Sequence, residues 1–205
     1  MNVVVFGATG GTGRAVVERA LEAGHGVTAV VRRGDAFPVT PGLRVVVVPD
    51  LARLDEVTAA VRGQDVVISA LGTNAKGPVS VCADGVRSIL AAMGDAGVRR
   101  LIAVSAHGAA ETHDRSLYSL ALWASVGDKM RDKEAMEELI RASDVDWTIV
   151  RPPALKDKPR TGAYRTGPDL PIRLTSAISR ADLADFLLRE ATTPVYVNAF
   201  PRIAA

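Results

Sequence analysis

Three glycines, Gly7, Gly10 and Gly13, stand three residues apart directly behind the apolar run NVVVF and ahead of a segment with helical period. The chemistry that suits this spacing is the cradling of a phosphate chain. A glycine at the strand end permits a tight turn, and glycine at the helix start lets backbone N–H groups approach a pyrophosphate with no β-carbon between them. Thr9 and Thr12 add hydroxyl donors to the same loop. A plain strand-to-helix turn would use the same residues. Their place at the head of a βαβ unit is what favours a dinucleotide.

One helix length further, the second apolar run ends VVRR. The residue at this point of a dinucleotide fold meets the adenosine ribose, where an Asp or Glu would bond the 2′-hydroxyl. Here Arg32 and Arg33 follow Val31. A guanidinium matches a 2′-phosphate in charge and in fork geometry, and no carboxylate stands there to repel one. NADPH is therefore expected over NADH, with Arg33 open to the alternative of a solvated surface charge. Asp50 and Leu51 end the third run, where a side chain can flank adenine; Asp50 is equally placed to cap the following helix.

Other side chains offer chemistry with a plainer alternative beside it. His107 and His113 follow Ser105 and could donate protons or touch substrate, or be ordinary loop histidines, whereas His25 reads as structural. Lys133 could bond a ribose or pair with Glu137 one turn on. The run SLYSLALWASV, with Tyr118, Leu120, Leu122 and Trp123, could cover a flat acceptor, meet a partner, or simply pack on the domain. Tyr164 could reach the same cleft, and Lys156, Lys158 and Arg160 could attract an anionic substrate.

Short β-branched runs alternating with helical segments supply the frame. They predict a Rossmann-type doubly wound α/β fold, a mostly parallel sheet with helices on both faces. Strands are expected at residues 2–6, 27–31, 44–48, 65–70, 100–105, 146–151 and 195–200, and helices at 11–23, 54–61, 79–96, 128–142 and 180–191. Two long loops, at about 106–127 and 154–178, fall at the carboxyl ends of strands, where an open α/β sheet keeps its ligand. A chain of 205 residues suits one domain. A net charge of +2, with basic residues scattered, argues against a nucleic-acid partner. Cys82 is the single cysteine, without a disulfide or metal partner, and no long apolar run marks a leader or a membrane span. A cytoplasmic protein is expected, with no metal and no membrane contact, and a monomer is favoured over a small homo-oligomer.

On FGATGGTGR, VVRR, VVISALGT, GVRRLIAVSAHG, DKEAMEELIRASDVDWTIVRPP and KPRTGAYRTGP followed by ISRADLADFLLRE, the chain resembles the atypical short-chain dehydrogenase/reductase group that includes NmrA-like proteins and the biliverdin-IXβ reductase and flavin reductase family. The resemblance implies that Thr9, Gly10, Gly11 and Thr12 hold the pyrophosphate and that Arg32 takes the 2′-phosphate. It implies that Asp50 and Leu51 border the adenine and that Leu71, Gly72 and Thr73 follow the cofactor at the fourth strand. Ser105 takes the place of the family serine near the nicotinamide, Pro152 and Pro153 line its carboxamide side, and Lys133 takes the place of the catalytic lysine. Two departures stand out. Lys129 occupies the position of the tyrosine acid, and Ala154 occupies that of a histidine common in the flavin and biliverdin reductases.

With these departures, the resemblance implies NADPH-dependent hydride transfer to a flavin, quinone or similar conjugated small molecule, with solvent supplying the proton. The alternatives are a cofactor sensor of NmrA-like type, or an epimerase or dehydratase in which His107 or Lys129 would act as base.

Overall fold

The β-branched runs pair into one parallel sheet of six strands in a computed structural model that describes residues 1–114 and 116–205. In chain order these are β1 (Asn2–Phe6), β2 (Gly26–Val31), β3 (Leu43–Val47), β4 (Val66–Ser69), β5 (Arg100–Val104) and β6 (Asp146–Val150). Across the sheet the order is β3-β2-β1-β4-β5-β6. The helices between them are α1 (Gly11–Glu22), α2 (Leu54–Val61), α3 (Val81–Ala96), α4 (Leu117–Arg141) and α5 (Arg180–Thr192). Alternate residues of each strand serve opposite cores: Val3 and Val5 pack with α1 and α5, while Val4 and Phe6 pack with α2, α3 and α4. Burial on both faces is why the strands read as unbroken apolar runs. The result is a doubly wound Rossmann-type fold. Its strand order reverses between β1 and β4, so a crevice opens at their carboxyl ends.

Three expectations are corrected. Residues 195–200 form no strand: Ala199 makes one bridge with Thr148, Asn198 has a φ of 53°, and the last strand lies beyond, at β10 (Arg202–Ala204). The alternating apolar pattern there reflects the half-buried Tyr196 and Phe200, which pack against the two cores while the backbone skirts the β6 edge, Ile149 N–H donating to Ala199 O (3.1 Å). Residues 106–127 are not one long loop. Helix α4 begins at Leu117, capped by Ser116 Oγ accepting from Ser119 N–H, and continues to Arg141 through one non-helical residue, Val126 (φ −140°, ψ 28°). The helix expected at 128–142 is its second half. Within residues 154–178, β7 (Ala154–Lys156) pairs with β9 (Ala177–Ser179), and β8 (Arg165–Gly167) pairs with β10. Among the described residues no helix is long and apolar enough to cross a membrane.

Candidate functional site

At the reversal point the chain must turn sharply from β1 into α1, and glycine makes that turn possible. Gly7 has a φ of +73°, and a Cβ there would come within 2.5 Å of Ala70 O on the neighbouring strand end. Gly10 N–H closes the turn on Gly7 O at 3.0 Å. Gly10 is the N-cap of α1 and no side chain caps the helix, so first-turn N–H groups remain available to an anion. Gly13 plays a different part from the one expected. A Cβ on it would lie 2.1 Å from Gly7 O, so this buried glycine lets α1 pack onto the turn and does not line the crevice.

The crevice widens into a cavity of about 1370 Å³. Gly7, Thr9, Gly10, Gly11 and Thr12 form one wall, Arg32 with Asp50 and Leu51 stands at one end, and Leu71, Gly72 and Thr73 run along β4's extension. Ser105, Lys133 and Leu155 also line the cavity. Asp50 does not cap α2, whose N-cap is Arg53; its carboxylate braces a local turn by accepting from Ala52 N–H at 2.9 Å. Leu51 and Leu71 close on Gly85 of α3, where a Cβ would approach Leu71 Cδ1 to 2.4 Å.

Lys133 is tied down by carbonyls, with Nζ donating to Leu71 O (3.0 Å) and Val104 O (2.6 Å). It makes no pair with Glu137, which instead holds Arg151 with Nη2 to Oε2 at 2.5 Å. Ser105 is buried and its Oγ finds no hydrogen-bond partner among the described residues, which leaves a hydroxyl beside the cavity without a protein partner. One residue before Lys133, the buried Asp132 accepts from Cys82 and Ala83 N–H groups (2.9 Å each) and so caps α3 from outside. Burial raises the pKa of the adjacent Cys82 thiol.

Several expected contributors lie elsewhere. Arg33, Pro152 and Pro153 do not line the cavity; Arg33 is exposed, and the two buried prolines sit behind Ser105, Pro152 O accepting from His107 N–H at 2.8 Å. Lys129 is also outside the lining. Tyr164 turns away from the cleft and donates to Asp185 Oδ2 (2.9 Å); burial and that carboxylate push its pKa up to about 12. Arg160 joins the same aspartate, while Lys156 and Lys158 are exposed. His113 stacks on Trp123 at 4.0 Å, and Trp123 Nε1–H donates to Gly108 O at 2.9 Å, so that part of α4 packs on the loop after β5.

His107 is buried against Tyr118, ring centroids 5.3 Å apart, and does not line the cavity. Burial first, then the nearby Arg202, lower its pKa from 6.5 to about 4, so it is neutral in the folded protein at physiological pH. The unfolded chain binds the extra proton between those two values, so the associated stability is complete above pH 6.5 and is lost as pH falls toward 4. Replacing His107 with Leu should flatten the slope of unfolding free energy in that window, by roughly 2–3 kcal/mol across it, in urea titrations at stepped pH.

Arg180, at the start of α5, reaches this cavity without having been expected there, as do Asn74, Asp84, Arg87 and Ser88. The S-x-x-D pattern at Ser179–Asp182 marks a helix start in the sequence, but only the packing of α5 on α1 shows that Arg180 faces the glycine turn.

Residues 7–194 match the NAD(P)H-binding family. The chain belongs to this NAD(P)H-binding family. The glycine turn, the uncapped α1 and the unpartnered Ser105 hydroxyl fit what such a family member must hold. This NAD(P)H-binding chain is 29% identical over 191 residues to "Uncharacterized sugar epimerase YhfK" of Bacillus subtilis (strain 168), covering 90% of this chain and 85% of that one. It superposes with a TM-score of 0.83, at 25% identity, on "ChuY: An Anaerobillin Reductase from Escherichia coli O157:H7", covering 99% and 96% of the two chains. The oxidoreductase ylbE from Lactococcus lactis shares the fold, with a TM-score of 0.86 at 19% identity over 99% and 90% of the chains. By name these relatives are an uncharacterized sugar epimerase, an anaerobilin reductase and an oxidoreductase.

Proposed function

We propose that the protein is an NADPH-dependent reductase of a flat, conjugated acceptor such as a flavin or a quinone. The observation that carries this reading is the composition of the cavity. Among its described lining residues there is no Tyr, His or Glu; its two carboxylates are engaged, Asp50 with Ala52 N–H and Asp84 with Arg87, and Lys133, in the place of the catalytic lysine, is held by two carbonyl oxygens. Carbonyl reduction to an alcohol, or epimerisation at carbon, needs a tuned proton donor or base beside the reacting atom. A conjugated acceptor takes a hydride without one, because solvent can protonate the product. The cavity volume of about 1370 Å³ exceeds the roughly 300–1,000 Å³ of a site for one small molecule, which suits a dinucleotide with a second ligand. The similarity to an anaerobilin reductase supports the same class of acceptor.

When bound, NADPH supplies the hydride. The α1 N–H groups would hold its pyrophosphate, Arg32 its 2′-phosphate, and Leu51 its adenine, while Ser105 Oγ and the remaining Lys133 N–H would orient the nicotinamide end. Catalysis then rests on alignment of the two reactants. The protein would work as a monomer on a small-molecule substrate in the cytoplasm.

NADPH absorbance followed against FMN, FAD, a quinone and a biliverdin isomer tests the reading. Oxidation with at least one acceptor is expected. Tight NADPH binding with no acceptor reduced would replace the reductase with a cofactor sensor. In parallel, Arg32→Glu is expected to shift the NADPH:NADH affinity ratio at least tenfold toward NADH, since a charge-assisted contact of about 1.5–3 kcal/mol becomes a repulsion. An unchanged ratio would remove Arg32 from the 2′-phosphate site.

A further inference from the structure

We propose that Arg180 grips the cofactor's pyrophosphate, exchanging its present partner Asp157 for phosphate oxygens when the dinucleotide binds. The inference rests on the dinucleotide reading of the cavity and adds to it a cation to which the motif ISRADLADFLLRE gives no role.

Position comes first. The Arg180 side chain lies across the first turn of α1, so that a Cβ on Gly11 would come within 2.7 Å of its Nε and 2.8 Å of its Cδ. It lines the same wall as Thr9, Gly10 and Gly11. Here the N–H groups of an uncapped helix already favour an anion. The absence of a β-carbon at Gly11 therefore serves two purposes, admitting a phosphate and giving the guanidinium a place to lie.

The other cations of the cavity are committed elsewhere. Lys133 is spent on two backbone carbonyls, Arg87 pairs with Asp84 on α3 at 2.7 Å, and Arg32 stands at the end of β2. Among the described lining residues, Arg180 is the cation beside the glycine turn. A pyrophosphate carries two negative charges, and helix N–H groups alone would meet them with partial charge only.

The backbone beneath Arg180 is firmly held, whereas its side chain is not. Ser179 Oγ accepts from Asp182 N–H (2.9 Å) and donates to Asp182 Oδ2 (2.7 Å). Asp182 Oδ1 also accepts from Thr161 and Gly162 N–H groups at 2.8 Å each, pinning the neighbouring loop to the same helix start. By contrast, the Arg180 partner, Asp157, is 87% exposed, and the pair at 2.6 Å is a surface ion pair that contributes little. Exchange of this carboxylate for a doubly charged phosphate chain, on a pre-positioned arginine, is favourable in both charge and fork geometry.

The test measures affinities of the purified 205-residue chain by titration calorimetry for NADPH, NADH and adenosine 2′-monophosphate. Arg180→Gln is expected to weaken NADPH and NADH by the same factor, about tenfold or more, and to leave adenosine 2′-monophosphate, which has no pyrophosphate, unchanged. Arg180→Lys should recover part of the loss. Asp157→Asn, by removing the competing carboxylate, should tighten both dinucleotides about two- to threefold. Equal dinucleotide affinities in wild type and Arg180→Gln would overturn the assignment. So would a loss confined to NADPH, which would place Arg180 at the 2′-phosphate, or weaker binding in Asp157→Asn, which would make the pair a structural clasp. Wild-type protein that binds neither dinucleotide would overturn the cavity reading itself, a distinct result.

Discussion

Glu137→Ala is expected to lower the unfolding free energy by about 3–5 kcal/mol, among the largest effects of any single substitution in this chain. Arg151 is 1% exposed and its guanidinium faces two carboxylates and a ring: Glu137, Glu111 and the face of Phe200, 4.1 Å from Cζ to the ring centroid. Glu137 is itself 2% exposed, while Glu111 is 59% exposed. Removing Glu137 leaves a buried cation with one partner reaching in from solvent, and an arginine does not shed its proton to escape. Removing Glu111 instead should cost less, because water already reaches that side of the cluster. The double variant Glu137→Leu/Arg151→Met should recover most of the lost stability, because it leaves no uncompensated charge. Urea unfolding of the four proteins at pH 7 checks this, and a double variant no better than Glu137→Ala would sink the account.

The second large effect lies at the glycine turn. Gly13→Ala should destabilise the fold at or above the usual overpacking cost of about 1–3 kcal/mol and weaken NADPH binding at least tenfold. The obstructing atom is a backbone carbonyl, Gly7 O, 2.1 Å from the new Cβ, and no flexible side chain can yield there. Either α1 moves off the turn or the turn opens, and both displace the N–H groups that face the cavity. Gly94→Ala in α3 is the control. An added Cβ there meets nothing within 4 Å, so the change should stabilise the helix by roughly 0.5–1 kcal/mol and leave NADPH binding alone. Normal thermal stability and NADPH affinity in Gly13→Ala would refute the packing argument.

The doubly wound sheet was legible because its strands bury both faces, and Val3 to Phe6 announce that as an unbroken apolar run. The glycine turn was legible because Gly7 and Gly13 answer to backbone geometry, which acts over a few neighbouring residues. What escaped depends on contacts between distant segments. Nothing near Arg180 in the sequence says that α5 lies on α1, and nothing near Glu137 says that it will leave Lys133 for Arg151. Residues 195–200 misled for a related reason: Tyr196 and Phe200 are spaced as if in a strand, but they are half-buried by packing at the β6 edge and not by joining a ladder. Tyr164 could reach the cleft as far as its sequence position goes, whereas its hydroxyl is fixed by the buried Asp185 on another element.

Helix α4 changes direction at Val126, and its two halves are fastened very differently. Beyond the break, Asp132, Lys133 and Glu137 each bind a separate part of the fold: the start of α3, the ends of β4 and β5, and the end of β6. Before it, the described fastenings are the indole bond of Trp123 and ring contacts of Tyr118 and Trp123, and Leu117 and Leu120 are exposed. Substituting any of these three releases a different distant region of the frame, but a substitution before the break disturbs only its surroundings. The helix thus divides the labour of inheritance: sequence drift can reshape the segment up to Val126 while the frame that holds Lys133 stays as it is.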